Sequence, residues 1–277
     1  MRRAFRILIS GSAFLFFFVG AALISWVMIP LLSLSFDPEV RRRRHLWMTG
    51  FATRGFVRYM TMTTMIEIHW PPLAPDFPKG AYVMIANHPT LIDTTIVMSR
   101  FPELSTVAGG KWFNRPGLGN MVRAAGWVAA PGRDDKNAPS ALEGMLKALR
   151  AGTPMLVFPE GTRSDQDRLL RFRRGAVEAA LQAGVPIVPI YINVNQPMLM
   201  RGQPWYDVHQ GVGVYTIEFW PTIETAGRDL DGRALNQELM ARYKARFSRM
   251  LAERQAPKGA LTASSSASSS PSAPSLK

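Results

Sequence analysis

One uncharged segment constrains this chain more than any other feature. No charged side chain occurs from Ile7 to Phe36, and about 20 apolar residues in an α-helix suffice to cross the hydrocarbon core of a bilayer. A cleaved signal peptide would have a shorter apolar region, about 7 to 15 residues, followed by a small-residue cleavage site. Here Asp37, Pro38 and a run of arginines follow instead. We therefore predict a helical membrane-anchoring motif that contains residues 7–36.

Basic residues flank this apolar segment on both sides. Arg2, Arg3 and Arg6 precede it and the arginines of 41–44 follow it, so the positive-inside rule assigns no orientation. A single membrane span is one arrangement. The other is a helix that breaks near Pro30 and returns to the same face, with both basic clusters on anionic headgroups. We favour the second, in the inner (cytoplasmic) membrane with the rest of the chain facing the cytoplasm.

The sequence divides into four parts. Residues 1–70 form the membrane-associated region, in which 46–65 mixes aromatic and apolar residues with sparse arginines and predicts an amphipathic helix in the interface. The proline-rich stretch 71–80 predicts a linker, because residues that precede proline disfavour helix. Residues 81–254 form the main domain. The Ser, Ala and Pro tail, 255–277, has little to bury and is expected to be disordered.

Short apolar runs alternate with helical patterns in the main domain. Such alternation predicts an α/β fold with a mainly parallel sheet flanked by helices. The predicted strands are 81–86, 104–108, 155–158, 185–192 and 212–219, and the predicted helices are 90–101, 140–150 and 175–183.

The net charge of +13 fits either a nucleic acid or an anionic membrane surface as the partner. Much of the basic excess lies beside the apolar anchor and in the stretch 242–249, and no nucleic-acid-binding motif is present. Membrane lipids are therefore the expected partner. The chain has no cysteine, which excludes disulfides and cysteine-ligated metals, and its four histidines are too scattered to predict a zinc site.

A histidine and an aspartate occur in the stretch "VMIANHPTLIDTT". Because the predicted strand ends at residue 86, His88 falls at the sheet edge where α/β proteins bind ligands, with Pro89 in the first helical turn. Residues five apart on a continuous helix point about 140° apart, so His88 must precede the helix if its ring is to reach Asp93. A carboxylate there would fix the imidazole tautomer and leave the other nitrogen free to take a proton from a hydroxyl. A structural pair inside the core is the alternative.

Two further stretches offer groups for an anionic ligand. "VFPEGTRSD" places a permissive glycine and Arg163 directly after a predicted strand, and the planar guanidinium suits phosphate oxygens; an ordinary surface turn with an ion pair is the alternative. The glycine-rich stretch 109–135 contains Lys111 and Arg133 but has neither a P-loop nor a dinucleotide-binding fingerprint.

Taken in order, these motifs resemble the glycerolipid acyltransferase family, which includes the 1-acylglycerol-3-phosphate acyltransferases. "NHPTLID" is similar to the first block of that family, "FPEGTRS" to the third, "VPIVPI" to the fourth, and "FRRG" to the basic step between the last two. The resemblance covers residues 80 to 220 approximately. The second block departs from the family pattern, because "AAPGRDD" stands where relatives have an apolar pair followed by Asp and Arg.

The resemblance implies an O-acyltransferase that needs no cofactor or metal. Its donor would be acyl-CoA or an acyl carrier protein, and its acceptor a lysophospholipid, first of all 1-acylglycerol-3-phosphate. His88 would be the general base and Asp93 the residue that orients it. The implied substrate-binding residues are Asn87, Lys111, Arg133, Glu160, Gly161, Thr162, Arg163 and Ser164. Other acceptors (a lysophosphatidylcholine-type, ornithine or amino-acid lipid, or a specialised pathway lipid) and a non-catalytic lipid-binding protein are the alternatives.

Overall fold

The computed structural model describes residues 2–130, 140–165 and 167–255. The strands within these residues are β1 (Ile66–His69), β2 (Val83–Ala86), β3 (Ser105–Gly109), β4 (Val128–Ala130), β5 (Met155–Val157), β6 (Ile187–Val194) and β7 (Gly213–Phe219). The helices are α1 (Arg2–Leu23), α2 (Ile29–Leu32), α3 (Pro38–Met62), α4 (Asp93–Arg100), α5 (Gly110–Phe113), α6 (Gly119–Ala124), α7 (Ala141–Arg150), α8 (Gly175–Ala183) and α9 (Gly232–Gln255), and a π-helical segment, Ile24–Met28, joins α1 to α2.

The strands form one sheet in the order β1-β7-β6-β2-β5-β3-β4. Only β6 and β7 pair in antiparallel fashion among the described strands, and the other neighbours are parallel. β2 lies in the interior of the sheet and all four of its residues are buried, as expected of a parallel strand covered on both faces. The predicted fold class, a mainly parallel sheet flanked by helices, is confirmed.

Helices cover both faces of the sheet, and the alternation of side chains along β2 shows which core each residue joins. Met84 and Ala86 pack in the core under α1, α3 and α4. Val83 and Ile85 pack in the opposite core, under α7, α8 and α9. Tyr243 of α9 is fully buried there, and its hydroxyl group lies 2.7 Å from the carbonyl oxygen of Ile85 and 2.8 Å from that of Ile190. α9 thereby holds β2 and β6 together, near the carboxyl end of β2 and the middle of β6.

The sheet begins earlier in the chain than predicted. β1 lies within the region 1–70, before the proline-rich stretch 71–80, and it pairs in parallel with β7 from Ile66 opposite Gly213 to His69 opposite Thr216. Glu67 and His69 interrupt the apolar residues of β1, and β4 is an edge strand with no buried residue, so neither strand was predicted. The other boundaries of the domain division stay predictions, and residues 256–277 of the predicted tail lie outside the described residues.

The N-terminal helices form a hairpin. Pro30 stands in the first turn of α2, which ends at Leu32. The chain then reverses over residues 33–37, a few residues past the predicted break, and α3 returns to pack against both α2 and α1. The return of both basic clusters to one membrane face stays a prediction. The predicted amphipathic segment falls mostly within α3, which also includes the arginine run of 41–44.

One helical stretch among the described residues, Arg3–Leu32, is long and apolar enough to cross a membrane. One side of it nevertheless packs on the α/β domain. Near its start the Arg6 guanidinium donates hydrogen bonds to the carbonyl oxygens of His209, at 2.6 Å, and Gly211, at 2.7 Å. Near its end the Ser25 hydroxyl donates to the carbonyl oxygen of Gly117 at 2.8 Å. The helix therefore lies along the domain for about 28 Å between these contacts.

Candidate active site

His88 follows the carboxyl end of β2, and its ring contacts the first residue of α4. His88 Nδ1 lies 2.8 Å from Asp93 Oδ2. The Asp93 side chain is fully buried, whereas the side chain of His88 keeps 16% of its surface exposed and lines a cavity. The structure thus brings together the two residues that the motif spacing suggested, with His88 before the helix.

A short turn, rather than the first turn of a helix, separates the two residues. The sequence predicts a helix from residue 90 with Pro89 in its first turn, but α4 begins at Asp93. The carboxylate of Asp93 explains the difference, since it accepts the backbone N–H of Thr90 at 2.7 Å and the Thr90 hydroxyl at 2.5 Å. The N–H of Leu91 donates to the carbonyl oxygen of Leu199. These bonds hold the bend that turns the His88 ring back over the helix start.

The hydrogen bonds around Asp93 select one tautomer of His88. An ionised carboxylate accepts hydrogen bonds and donates none, so Nδ1 of His88 must carry the proton that it shares with Asp93. Nε2 then has a free lone pair. The ring also stacks on Phe158, with 4.1 Å between ring centroids and 21° between ring planes. The imidazole is therefore held in one plane and one tautomer at the cavity wall.

Glu160 holds the backbone of His88 and does not face a ligand. Its carboxylate accepts the N–H of His88 at 3.1 Å, the Ser164 hydroxyl at 2.7 Å and the N–H of Leu170 at 3.0 Å. Ser164 in turn donates its N–H to the carbonyl oxygen of His88 at 2.7 Å. Burial raises the pKa of Glu160, while the bonds from Leu170, Ser164 and His88 oppose that rise. The substrate-binding role predicted for Glu160 and Ser164 is corrected to a role inside the turn, because these groups are buried against each other.

Gly161 is a position where the backbone requires glycine. Its φ is +70°, and a Cβ atom there would stand 2.9 Å from Nε of Arg173, closer than side-chain atoms normally approach. The guanidinium of Arg173 therefore packs directly on this turn and reaches the cavity. Neighbouring Thr162 is exposed and also lines the cavity.

Arg163 links the same turn to the loop after β6. Its Nη1 donates to the carbonyl oxygens of Leu199, at 2.6 Å, and Met200, at 2.9 Å. Burial lowers the pKa of Arg163, Asp93 acts in the opposite direction and Arg201 reinforces the lowering. Arg163 is also one of the residues that line the cavity.

The other predicted binding residues have different positions. Asn87 is corrected to a sheet residue, because its amide donates to the carbonyl oxygen of Ile192 at 2.9 Å and accepts the N–H of Ile192 at 2.7 Å. Being buried there, it extends the pairing of β2 with β6 past the end of β2. Lys111 is exposed on α5 and lines the cavity. Arg133 lies outside the described residues.

The cavity beside His88 has a volume of about 450 Å³ and mostly apolar walls, within the range of about 300 to 1,000 Å³ for small-molecule sites. α1 and α3 contribute Phe14, Phe17 and Phe56, and Trp127 and Met145 line it near β4 and α7. From β2 to β4 is three strand spacings, or about 14 Å. The cavity therefore extends from a basic, polar region at His88 into an apolar interior.

Sequence reasoning missed three contributors to this site. Arg173 reads as an ordinary basic residue before a helix, although its place in "FRRG" carried a signal. Phe158 and Tyr215 read as strand residues, and only tertiary packing shows that they approach the His88–Asp93 pair. Within the described part of the chain, no group of three or more His, Asp or Glu side chains could hold a metal ion.

The fold and site define an α/β protein in which the histidine of a His–Asp pair lines an apolar cavity. Residues 66–193 match the Acyltransferase family model. These residues, just under half of the chain, resemble that family, and the resemblance predicted from the motifs is confirmed.

Two curated relatives illustrate the similarity. A 1-acyl-sn-glycerol-3-phosphate acyltransferase of Limnanthes alba is 36% identical over 122 residues, which are 41% of this chain and 41% of the relative. Another, from Chlamydomonas reinhardtii, is 28% identical over 177 residues, 64% of this chain and 52% of the relative. The matches thus span about half of these relatives' own length or less.

A solved structure supports the fold independently. The 1-acyl-sn-glycerophosphate acyltransferase PlsC from Thermotoga maritima superposes with a TM-score of 0.70 and 20% sequence identity. The match covers 91% of this chain and 98% of that one. The architecture is therefore of the PlsC type.

Proposed function

We propose that this protein is a membrane-bound O-acyltransferase that moves a fatty acyl group from a thioester to the free hydroxyl of a lysophospholipid. The first acceptor we propose is 1-acylglycerol-3-phosphate, which gives phosphatidate. The observation that carries the proposal is the 2.8 Å contact between His88 and buried Asp93 at the wall of an apolar cavity. The two relatives described above are 1-acyl-sn-glycerol-3-phosphate acyltransferases, which supports the same acceptor.

The chemistry follows from the tautomer of His88. A neutral hydroxyl is a weak nucleophile, so Nε2 of His88 takes its proton as the hydroxyl oxygen attacks the thioester carbonyl. Asp93 stabilises the imidazolium that forms. The tetrahedral intermediate then collapses, the C–S bond breaks, and the leaving thiolate takes the proton from Nε2. The products are the new ester and the free thiol. The proposed reaction uses neither a covalent enzyme intermediate nor a cofactor.

The groups around His88 suit a substrate with a phosphate and a long apolar chain. Arg163, Arg173 and Lys111 line the cavity and supply positive charge, and we assign them, with Thr162, to the phosphate. Arg133 stays a predicted contact. The apolar interior suits the acyl chain, and the donor is acyl-CoA or an acyl carrier protein. Asn87, Glu160, Gly161 and Ser164 act by holding the backbone that presents these groups.

We propose that the N-terminal hairpin lies in the plane of the cytoplasmic leaflet of the inner membrane. α1 packs on the α/β domain along its length, so it is not a free span, and its outer side exposes Phe5, Leu8 and Leu15. α3 exposes Trp47 and Phe51. Aromatic and apolar side chains next to arginines are typical of helices that lie in the interface. This arrangement brings His88 to the lipid substrate with the catalytic domain in the cytoplasm.

The absence of cysteine from the sequence makes the topology directly testable. Single cysteines in place of Arg3 and Phe36, at the two ends of the apolar helix, should react with a membrane-impermeant maleimide in inverted vesicles and stay unreacted in spheroplasts. Both ends lie on one side when the hairpin is in plane. Ala241→Cys on α9, exposed on the domain, is the control for the cytoplasmic side. Labelling of the two ends from opposite sides would show a span and contradict the proposal.

His88→Ala tests the reaction itself. We expect turnover of lysophosphatidate with acyl-CoA or acyl carrier protein to fall by about 100- to 10,000-fold, the contribution typical of acid–base catalysis. Phosphatidate is quantified by mass spectrometry of the detergent-solubilised enzyme. His69→Ala, which removes an exposed histidine of β1 paired with Glu67, should leave turnover unchanged. Equal activity of wild type and His88→Ala would favour a non-catalytic lipid-binding protein.

Arg173→Gln tests the phosphate-binding assignment. We expect the KM for lysophosphatidate to rise about tenfold or more, because charge-assisted hydrogen bonds to phosphate are lost. The KM for a phosphate-free monoacylglycerol should change little. Arg174→Gln is the matched control, since Arg174 is exposed and does not line the cavity. A similar rise for both acceptors would point to general disturbance of the turn, and wild-type preference for a phosphate-free lysolipid would reassign the acceptor.

A further inference from the structure

A chain of hydroxyl groups lies behind the His88–Asp93 pair. The Thr90 hydroxyl contacts Asp93 Oδ1 at 2.5 Å, and the Tyr215 hydroxyl contacts Thr90 Oγ1 at 3.0 Å. Thr90 and Tyr215 have no exposed surface. Tyr215 belongs to β7, which is separated from β2 by β6, so its side chain brings a polar group to the active site from two strands away.

The direction of this chain follows from counting protons. An ionised Asp93 only accepts, so Thr90 must donate its one hydroxyl proton to Oδ1. Thr90 Oγ1 is then the acceptor for Tyr215, which must donate. Burial raises the pKa of Tyr215 and nearby Asp93 raises it further, which keeps the phenol protonated and able to donate. The sequence of donors is Tyr215 to Thr90, Thr90 to Oδ1 of Asp93, and His88 to Oδ2.

We propose that Thr90 and Tyr215 are positioning residues for the acyl transfer, acting through Asp93. The inference rests on the proposed function. The Thr90 N–H donates to Oδ2 of the carboxylate and the Thr90 hydroxyl donates to Oδ1. These two bonds fix the carboxylate so that Oδ2 also faces Nδ1 of His88. Hydrogen bonds in a chain polarise one another, so Tyr215 strengthens the bond that Thr90 donates. The hydroxyl chain orients the carboxylate of Asp93 and reduces the negative charge that this carboxylate presents to His88.

The charge effect predicts a sign for pH dependence. Among the described residues, the other charged or titratable groups near the pair are Glu160 and Arg163 on the loop after β5, Arg201 beside Arg163, and Lys111 and Arg173 in the wall of the same cavity. Substitutions in the hydroxyl chain leave all five in place. Without the Thr90 hydroxyl, Asp93 directs more negative charge at His88 and favours the imidazolium. A larger fraction of the base is then protonated at a given pH, so the acidic limb of the kcat/KM profile moves to higher pH.

Thr90→Val is the first test, because valine keeps the shape of threonine and removes the hydroxyl. We expect kcat to fall by about tenfold to a hundredfold, the KM for both substrates to stay within about twofold, and the acidic limb to move up in pH. Tyr215→Phe should also lower kcat and move the acidic limb to higher pH, but by less than Thr90→Val. Thr90→Ser, which restores the hydroxyl, should return kcat and the profile to near wild type.

The double variant separates a chain from two independent effects. Tyr215 acts through Thr90, so adding Tyr215→Phe to Thr90→Val should lower kcat no further. If Thr90→Val does not fold, Tyr215→Phe and Thr90→Ala carry the same comparison. Variants with a lowered unfolding temperature but wild-type kcat per folded enzyme and an unmoved acidic limb would overturn the proposal and leave a structural role.

A substrate-free measurement distinguishes failure of this inference from failure of the proposed function. In ¹⁵N-histidine-labelled protein, His88→Ala assigns the His88 ring signals among those of the four histidines. The Nδ1 signal should shift in Thr90→Val and Tyr215→Phe and stay in place in Thr90→Ser. Unchanged signals in all three variants overturn the hydroxyl chain. A wild-type enzyme without acyltransferase activity but with the expected shifts would instead overturn the function and keep the chain.

Discussion

The site depends on one hydrogen bond between a fully buried carboxylate and an imidazole at the wall of a cavity. Asp93 can be buried because every bond it accepts comes from a neighbour within a few residues: the His88 ring and both donors of Thr90. An unpaired buried charge would be strongly destabilising. These bonds stabilise the buried carboxylate. They also hold residues 88–92 in a turn, so that α4 begins only at Asp93.

A second buried carboxylate fixes the backbone of the same histidine. Glu160 accepts the N–H of His88, and Ser164 donates its N–H to the His88 carbonyl oxygen. The first and third sequence motifs are therefore locked together across β2 and β5, which are neighbours in the sheet. Asp93 controls the ring of His88 while Glu160 controls its main chain. The turn that Glu160 supports also presents Arg163 and packs Arg173 against Gly161, so one network of hydrogen bonds positions His88 and these positive charges.

The sequence predicts this site well where the signal is local and poorly where it depends on tertiary packing. The His88–Asp93 spacing and the strand before it place the histidine ahead of a helix, and short apolar runs predict β2, β3, β5, β6 and β7. Glu67 and His69 interrupt the apolar residues of β1, and β4 is an edge strand with no buried residue, so neither strand gives such a signal. Glu160 and Asn87 stand in the expected motifs but turn toward the protein, because their partners, Leu170 and Ile192, are distant in sequence. No local sequence pattern indicates that Tyr215 contacts Thr90 and so belongs to the site.

His88 can act as the proposed base only if Asp93 holds the imidazole proton on Nδ1 and leaves Nε2 unprotonated. The most direct measurement is the turnover of an Asp93→Asn enzyme, with thermal unfolding as proof of folding. Because an asparagine amide donates to Nδ1 and places the proton on Nε2, we expect kcat to fall on the order of 10,000-fold in folded protein. Near wild-type turnover in that variant would contradict the account.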